Sequence, residues 1–294
     1  MKNSIALGHF IAFSIVVVWG ATFVSTKVLL TDFTPLEILF FRFVISFVML
    51  FLLYPKRFPF TCKKEEIYFL LAGLCGITLY YLLENIALTY TLASNVGVIV
   101  CVSPFFTAIF ANIFLKEKSL SFRFVFGFIV AICGIYLICF GKNDESHFSL
   151  TGDLLAFLAA IIWAIYSLLV LKIATFGYNT FLVTRRIFMY GIILMIPCLF
   201  VFDFSFNLTR FSNPVYLFNI LFLGLGAGAL CFVGWNYVTK ILGAVRLSVY
   251  IYLVPVATVL FSFFILKERL ETMQILGIIL TIFGLIVSNK IKTK

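Results

Sequence analysis

The stretch from Asn85 to Glu117 is matched without a gap, 151 residues later, by the stretch from Asn236 to Glu268. Nine of the 33 aligned positions are identical, among them Pro104 with Pro255. Both stretches are apolar runs with a proline near the middle and a Lys-Glu pair at the end. A pattern this specific predicts that the chain contains two copies of one structural unit.

Composition decides the solvent in which this chain folds. Apolar residues make up 63% of it and charged residues 12%, against roughly 45–50% and 25% in ordinary soluble domains. Several apolar stretches exceed the roughly 18 residues that indicate a membrane-spanning helix. Hydrocarbon leaves unpaired backbone groups unsatisfied, which restricts spanning structures to helices and closed barrels. Because the stretches are continuous rather than alternating, the sequence predicts an all-α integral membrane protein.

The apolar stretches resolve into ten predicted transmembrane spans, five in each half of the chain. We place the first five-helix repeat at residues 1–141 and the second at residues 142–294. A unit of five spans that starts on one side of a membrane ends on the other, so its copy must be inverted. Inverted repeats are a common architecture of secondary transporters, with the substrate site between the halves. The predicted spans are 7–29, 35–54, 67–89, 93–115, 121–141, 152–173, 179–202, 215–239, 245–266 and 272–290.

The match between the halves extends beyond the opening stretch. Trp19 and Arg42 align with Trp163 and Arg186 at an offset of 144 residues. Glycines match as well. In each half, two of them are seven residues apart, which is about two helical turns and places both on one stripe of a helix. Small residues on a stripe predict close helix packing in lipid. The matching glycines are Gly8 with Gly152, Gly73 with Gly224, Gly127 with Gly277 and Gly134 with Gly284.

The positive charge of the chain follows from its topology. The formal net charge is +10, which on a soluble protein would suggest a nucleic-acid partner. The basic residues lie mostly in short loops here, so we do not expect nucleic acid as a partner. With the N-terminus inside, fourteen Lys and Arg residues fall on the inner face and five on the outer face. The positive-inside rule therefore predicts that both termini are cytoplasmic.

Side chains for catalysis or metal binding are sparse in the sequence. The two histidines, His9 and His147, lie at span edges, and neither has a neighbouring set of carboxylates or cysteines at metal-ligand spacing. No Walker-type phosphate loop occurs, so ATP is not the energy source through this chain. We therefore expect no enzymatic activity, no cofactor and no metal. Any coupling would use a proton, another ion or a counter-substrate.

Glu84 is the sharpest candidate for a functional side chain. It lies inside the third span beside Asn85, and the aligned pair in the second half is Trp235 and Asn236. A carboxylate within a membrane is costly to bury, so it usually faces a cavity or a partner. As a functional group it would bind a cationic amine or carry a proton. As a structural group it would pair with a nearby arginine or lysine.

Three cations are candidate partners of Glu84 or of a substrate. Arg42 and Arg186 are repeat-related, and Lys27 lies in the last turn of the first span. As a functional group, each would anchor a carboxylate or a phosphate. The alternative is a snorkelling side chain or a structural ion pair.

Aromatic and amide side chains complete the set of substrate-binding candidates. Aromatic rings near the membrane interfaces are typical belt anchors, whereas deeper rings are better candidates for a pocket. Amides either bind substrate or bridge helices, and the sequence leaves both roles open. The candidates are Trp19, Trp163, Trp235, Tyr250, Tyr252, Asn85 and Asn236.

Two prolines are candidate hinges. Pro104 and Pro255 are predicted to lie in the interior of the fourth and ninth spans. An interior proline removes one backbone hydrogen bond and kinks its helix. The functional interpretation is a hinge or a set of carbonyls that face a cavity. The structural interpretation is a static kink that fits the bundle.

Several short motifs occur in a specific order along both halves. They are Trp19-Gly20-Ala21-Thr22-Phe23 with Lys27 and Arg42, Ser103-Pro104-Phe105-Phe106-Thr107 before Leu115-Lys116-Glu117, Gly152-Asp153 before Trp163, and Val254-Pro255-Val256 before Leu266-Lys267-Glu268-Arg269. Through these motifs nearly the whole chain resembles the EamA domain pair of the drug/metabolite transporter superfamily. The resemblance implies a ten-helix bundle in the cytoplasmic membrane with a central cavity. It also implies export or exchange of amino acids, amines, nucleobases or other metabolites.

These observations favour a secondary transporter of a small polar metabolite, foremost an amino acid or similar zwitterion. Glu84 would face the amine, Arg42 or Lys27 would face the carboxylate, and aromatic rings would form the walls. A nucleobase or nucleotide-type substrate is the alternative within the same class. A membrane enzyme would need a clustered acid–base or metal set, and a channel would need a continuous polar stripe. The sequence shows neither feature.

Overall fold

The structure is a computed structural model that describes residues 2–57, 62–91, 93–116, 120–140, 149–201, 204–266 and 271–289. Within these ranges the secondary structure is helical, with no β-strand. Helices satisfy their backbone groups internally, which is what a lipid-facing chain requires. The α-helices are α1 (Lys2–Leu29), α2 (Pro35–Leu53), α3 (Lys63–Gly73), α4 (Tyr80–Tyr90), α5 (Ala93–Val100), α6 (Ser103–Leu115), α7 (Phe122–Phe140), α8 (Leu150–Ala174), α9 (Thr180–Val201), α10 (Pro214–Leu221), α11 (Cys231–Leu242), α12 (Ala244–Ser248), α13 (Leu253–Leu266) and α14 (Thr272–Asn289).

The helices form ten apolar segments, because four of the segments contain more than one helix. Among the described residues, eight segments are long and apolar enough to cross a membrane. Two shorter apolar segments, Phe122–Ile138 and Thr272–Ser288, complete the set. The predicted all-α class with ten spans in two repeats is therefore confirmed. The predicted boundary between the repeats, at residues 141 and 142, lies outside the described residues.

Equivalent helices of the two repeats run in opposite directions where they meet. A Cβ atom built on Gly134 of α7 would lie 2.6 Å from the carbonyl oxygen of Gly277 of α14. One built on Gly284 would lie 2.6 Å from the carbonyl oxygen of Gly127. The early glycine of each helix thus faces the late glycine of the other, which requires antiparallel packing. The glycine stripes predicted from the sequence form this contact, because a larger side chain would separate the two backbones.

Hydrogen bonds link the second span of each repeat to the third span of the other. The Ser46 hydroxyl of α2 donates to the carbonyl oxygen of Gly224 at 2.6 Å. The Thr78 hydroxyl donates to the carbonyl oxygen of Gly191 of α9 at 2.9 Å. In the first contact the first repeat provides the second span, and in the second contact it provides the third span. An approximate two-fold axis between the repeats requires this reciprocal pattern. The halves are therefore packed into each other rather than side by side.

A π-helical stretch interrupts the third span of each repeat. The first stretch covers Leu74–Leu79 between α3 and α4, and the second covers Phe222–Leu230 between α10 and α11. With the offset of 151 residues, the first stretch aligns with the last part of the second. A π turn shifts the register of the helix that follows it and is frequent at functional sites. In the first repeat the residues that follow the π turn begin with Tyr80 and include Glu84.

The fourth and ninth spans are broken rather than kinked by their prolines. The fourth span ends one helix at Val100 and starts the next at Ser103, with Pro104 in the first turn of α6. The ninth span passes through a 3₁₀ turn, and Pro255 is the third residue of α13. A first-turn proline loses no helical hydrogen bond. The interior position predicted for both residues therefore becomes a helix start.

Ionic contacts join the loops at the two ends of the bundle. At one end Arg210 donates to both carboxylate oxygens of Glu37, at 3.0 and 2.9 Å, and Glu37 raises the pKa of the Arg210 guanidinium. At the other end the Tyr178 hydroxyl donates to Glu65 at 2.7 Å, and the Lys240 ammonium donates to the Tyr178 carbonyl oxygen. The Glu65 carboxylate raises the pKa of the Tyr178 hydroxyl.

Candidate functional site

A cavity lies between the repeats in the interior of the bundle. Its volume is about 40 Å³, which is room for only a few water molecules and far less than the about 300–1,000 Å³ of typical ligand pockets. Both halves of the chain contribute to its wall, so the cavity belongs to their interface. The lining residues are Trp19, Thr22, Phe23, Tyr80, Tyr81, Glu84, Gly97, Val100, Cys101, Trp163, Ile251 and Val254.

Glu84 is the one carboxylic acid among the described residues of this wall. It lies one turn after Tyr80 on α4 and is 7% exposed. The Tyr80 hydroxyl donates to its Oε1 atom at 3.4 Å. Among the residues that the structure describes, no lysine or arginine forms an ion pair with Glu84. The carboxyl group is therefore buried at the cavity with only a phenol as its hydrogen-bond partner.

Arg42 lies behind the cavity wall, on the far side of Tyr81. Its side chain is buried, and one terminal nitrogen donates to the Tyr81 hydroxyl at 3.3 Å. The guanidinium carbon also lies 4.4 Å from the centre of the Tyr81 ring, within the range of a cation–π interaction. The Nε atom is buried without a hydrogen-bond partner among the described residues. Arg42 thus places a positive charge near Glu84 and leaves the carboxylate open to the cavity.

Two tryptophans at equivalent repeat positions form the aromatic wall. The rings of Trp19 and Trp163 meet edge to face with centroids 5.6 Å apart, and the Tyr80 ring lies 4.7 Å from that of Trp163. The Nε1 atom of Trp19 donates to the carbonyl oxygen of Ala227 at 3.2 Å. The Nε1 atom of Trp163 is buried and has no partner in the described part of the chain. Among the described residues, the lining thus includes both Trp163, with its unsatisfied donor, and the carboxylic acid of Glu84.

The sequence model described as the EamA-like transporter family matches the chain twice, over residues 6–140 and 150–290. The chain belongs to the EamA-like transporter family. The cavity of this EamA-like transporter receives residues from both matched segments.

Proteins of similar sequence are described as transporters. The chain is 26% identical over 281 residues to an "Uncharacterized transporter" of Archaeoglobus fulgidus, which covers 94% of this chain and 95% of the relative. It is 26% identical over 284 residues to the "Uncharacterized transporter YyaM" of Bacillus subtilis, covering 92% and 89% of the two chains. These names, and the family, agree with the expectation that the chain is not an enzyme.

A solved structure supports the fold. A chain titled only "Crystal structure of protein" superposes with a TM-score of 0.75, at 18% identity, over 96% of each chain. At this identity the likeness supports the architecture and carries no information on substrate. The membrane-transporter assignment therefore rests on the family and the relatives.

Three of the residues predicted from the sequence meet at the cavity of this EamA-like transporter, namely Trp19, Trp163 and Glu84. Trp235 stands directly behind them, with its ring 4.8 Å from that of Trp19 and 1% of its surface exposed. Because Trp235 aligns with Glu84 in the repeat, the two halves place a carboxyl group and an indole at equivalent positions. The site is therefore chemically asymmetric on a nearly symmetric scaffold.

The two predicted asparagines bridge helices away from the cavity. The Asn85 amide donates to the Pro35 carbonyl oxygen at 3.2 Å. The Asn236 amide donates to the Thr184 hydroxyl at 2.9 Å and its oxygen accepts from the Tyr166 hydroxyl at 3.1 Å. Amide bridges of this kind are a common way of joining helices in membranes. The structure thus gives both residues bonds within the protein.

Three other candidates lie outside the cavity wall. The Tyr250 hydroxyl lies 2.6 Å from the Nδ1 atom of His9 on α1. Tyr252 is fully buried, and its ring lies 6.4 Å from that of Phe128. Lys27 is exposed at the end of α1. In this conformation, none of them is positioned to contact a molecule in the cavity.

Tyr80 and Tyr81 line the cavity next to Glu84, although they were not among the candidates predicted from the sequence. They lie four and three residues before Glu84, which is the spacing that places side chains on the same face of a helix. That spacing is the signal that would have found them. The π turn just before Tyr80 determines that this face points to the interior, and the apolar sequence gives no sign of it.

Proposed function

We propose that this EamA-like transporter moves a small polar metabolite with an amino group, such as an amino acid or related amine, across the cytoplasmic membrane. Transport occurs by alternating access, as export or exchange, with both termini in the cytoplasm. The uneven distribution of Lys and Arg between the loops supports this orientation.

The observation that carries the proposal is a buried carboxyl group in an aromatic wall. Glu84 shares the cavity with Tyr80, Trp19 and Trp163. A carboxylate supplies the counter-charge that an ammonium group needs, and the ring faces add cation–π attraction in a site shielded from water. Tyr80 supplies a neutral hydrogen bond, and among the described residues no lysine or arginine forms an ion pair with Glu84, so its carboxylate can pair with a substrate ammonium.

The same wall offers a donor for the other end of a zwitterion. Nε1 of Trp163 is buried and has no partner among the described residues, and an unsatisfied buried donor is costly unless a ligand or water pairs with it. A substrate carboxylate that accepts from Trp163 would satisfy it. Arg42 contacts Tyr81 behind the wall and adds positive potential near the cavity. Lys27 is not part of this proposal, because it is exposed at the end of α1.

Alternating access requires that the cavity opens to each side in turn. With a volume of about 40 Å³ the cavity is too small for an amino acid, so we assign this conformation to a closed state of the cycle. The helix breaks before Pro104 and Pro255 are the proposed hinges, because backbone without complete helical bonding bends at low cost. The energy source is a proton carried by Glu84 or a counter-substrate.

Ligand stabilisation of the purified protein tests the substrate class. A ligand that binds the folded state raises its stability in proportion to the logarithm of its concentration. Amino acids and amines, but not their uncharged analogues, are expected to raise the midpoint of thermal unfolding. Glu84→Gln is expected to remove this shift, and Asp32→Asn, a change of the same charge at an exposed loop, is expected to retain it. A shift produced by nucleobases, and unaffected by Glu84→Gln, would contradict the proposal.

A further inference from the structure

A second pocket lies at the end of the bundle, between the C-terminus of α2 and the first turns of α9. Its volume is about 330 Å³, which is within the usual range of ligand pockets. It shares no lining residue with the cavity between the repeats. The lining residues are Phe47, Phe51, Pro55, Lys56, Arg57, Leu182, Arg185, Arg186 and Met189.

Arg185 shapes this pocket from its buried side. The side chain is 8% exposed, and its terminal nitrogens donate to the carbonyl oxygens of Tyr54 and Lys56, at 2.8 and 2.5 Å. Both acceptors belong to the turn that follows α2. Arg185 therefore holds this turn in place, and with it the exposed side chains of Lys56 and Arg57 at the mouth of the pocket.

The pocket carries an excess of positive charge. Of the nine described residues that line it, four are cationic and none is acidic. Arg186 is compensated from outside the pocket by Glu66, with nitrogen–oxygen distances of 2.6 and 3.2 Å. No carboxylate among the described residues forms an ion pair with Lys56, Arg57 or Arg185. Three positive charges thus remain for an anion.

The remaining walls of the pocket are apolar. Phe51 is half-exposed and lies beside the Arg185 guanidinium, whose carbon is 5.3 Å from the ring centre. Phe47, Leu182 and Met189 continue the apolar surface. Cationic groups at the end of a helix bundle with an apolar groove below them match a phosphate headgroup with an acyl chain.

The pocket is not a by-product of the repeat. Arg185 aligns with Phe41 in the first half, and Phe41 packs against Phe204 and Phe211 with ring centroids 6.1 and 5.1 Å away. The equivalent place at the other end of the bundle is therefore an aromatic cluster. The two equivalent places thus differ in chemistry, which indicates a role for the pocket that depends on the side of the membrane.

We propose that this pocket binds a phosphate group, which both an anionic phospholipid and soluble phosphate would supply. Lys56 and Arg57 contact the anion at the mouth, and Arg185 adds its charge from the base. In the orientation proposed above, the pocket opens at the cytoplasmic face. Phosphatidylglycerol is the lipid probe, phosphatidylcholine is its zwitterionic control, and inorganic phosphate is the soluble probe.

Native mass spectrometry of the delipidated protein tests the proposal with these three probes. The variant Lys56→Gln/Arg57→Gln removes two charges from the mouth and leaves Arg185 and the fold intact. The variant Lys63→Gln/Lys64→Gln removes two exposed charges at the start of α3, outside the pocket, and is the matched control. Wild type is expected to retain phosphatidylglycerol in preference to phosphatidylcholine. The mouth variant is expected to bind it about thirty-fold more weakly, while the control changes little.

The outcomes separate the two sources of phosphate. Retention of phosphatidylglycerol that is lost in the mouth variant supports the proposal with a lipid ligand. Binding of inorganic phosphate alone, again lost only in the mouth variant, supports the proposal with a soluble ligand. Equal losses in both double variants would show a general effect of surface charge and overturn the proposal. An absence of any preference for anions in wild type would overturn it as well.

Discussion

Trp19 and Trp163 hold the same position in the two repeats, yet only Trp19 uses its indole N–H within the protein. Trp19 donates to the carbonyl oxygen of Ala227 at 3.2 Å, whereas Nε1 of Trp163 is buried without a partner among the described residues. Their rings meet with centroids 5.6 Å apart. Duplication thus supplied two equivalent donors, of which Trp19 stabilises the fold, whereas the Trp163 donor has no partner within the described part of the protein.

This asymmetry predicts different costs for the same substitution. Trp19→Phe removes a hydrogen bond, so we expect it to lower the free energy of unfolding by about 1 kcal/mol more than Trp163→Phe does. Both changes remove the same side-chain volume, which makes each variant the packing control of the other. Denaturation in mixed micelles measures the difference. Equal losses would contradict the assignment of Trp19 as the structural donor.

The antiparallel contact of α7 and α14 predicts a cost for adding a single methyl group. A Cβ on Gly134 would lie 2.6 Å from the carbonyl oxygen of Gly277, so Gly134→Ala must push the helices apart. We expect a loss of about 1–3 kcal/mol in the free energy of unfolding. Gly97→Ala is the control, because its Cβ would meet nothing within 4 Å. A Gly134→Ala variant as stable as Gly97→Ala would show that the helices do not meet as described.

The contact between Arg210 and Glu37 lies at the opposite end of the bundle from the phosphate pocket. It predicts that the loss of Arg210 strongly lowers the free energy of unfolding. Glu37 is 1% exposed and also accepts from the backbone nitrogens of Thr34 and Ser205, both at 2.8 Å. Arg210→Met would leave this carboxylate buried without its cation, at a cost of about 3 kcal/mol. Arg123→Met, at an exposed position, should change stability by less than about 0.5 kcal/mol. Similar unfolding free energies for the two variants would contradict a structural role for the pair.

The spans, the duplication and the glycine stripes were predictable because they depend on patterns that repeat along the chain. Apolar length determines which segments cross the bilayer. The alignment of Gly134 with Gly284, and of Gly127 with Gly277, marks the contact between the repeats. Trp19, Trp163 and Glu84 were predicted for a different reason. A polar or aromatic residue deep in an apolar run is costly to place against lipid, so it usually faces a cavity or a partner.

The local geometry of the site was less predictable. The π turn before Tyr80 depends on which backbone bonds form within an apolar run, and no residue type in that run requires it. Arg42 and Arg186 align in the repeat, yet one contacts Tyr81 and the other pairs with Glu66. Their partners come from elements that are distant in sequence. Tertiary packing therefore decided between alternatives that the sequence left open.

In the proposed transport cycle, a substrate amine binds Glu84 at the interface between the repeats, and the substrate then crosses the membrane. Glu84→Gln keeps the shape of the side chain and an oxygen that accepts from Tyr80, so this variant should fold with a stability close to that of wild type. Asp32→Asn is the matched control at an exposed position. Loss of a charge-assisted hydrogen bond should weaken substrate binding by about tenfold or more.

Counterflow in proteoliposomes, with the amine or amino acid that stabilises the purified protein, is the decisive measurement. We expect saturable uptake of labelled substrate by wild type and by Asp32→Asn, and a loss of about tenfold or more in Glu84→Gln at subsaturating substrate. Undiminished counterflow in a folded Glu84→Gln variant would show that Glu84 does not bind the substrate. An ohmic current in place of saturable exchange would contradict transport by alternating access.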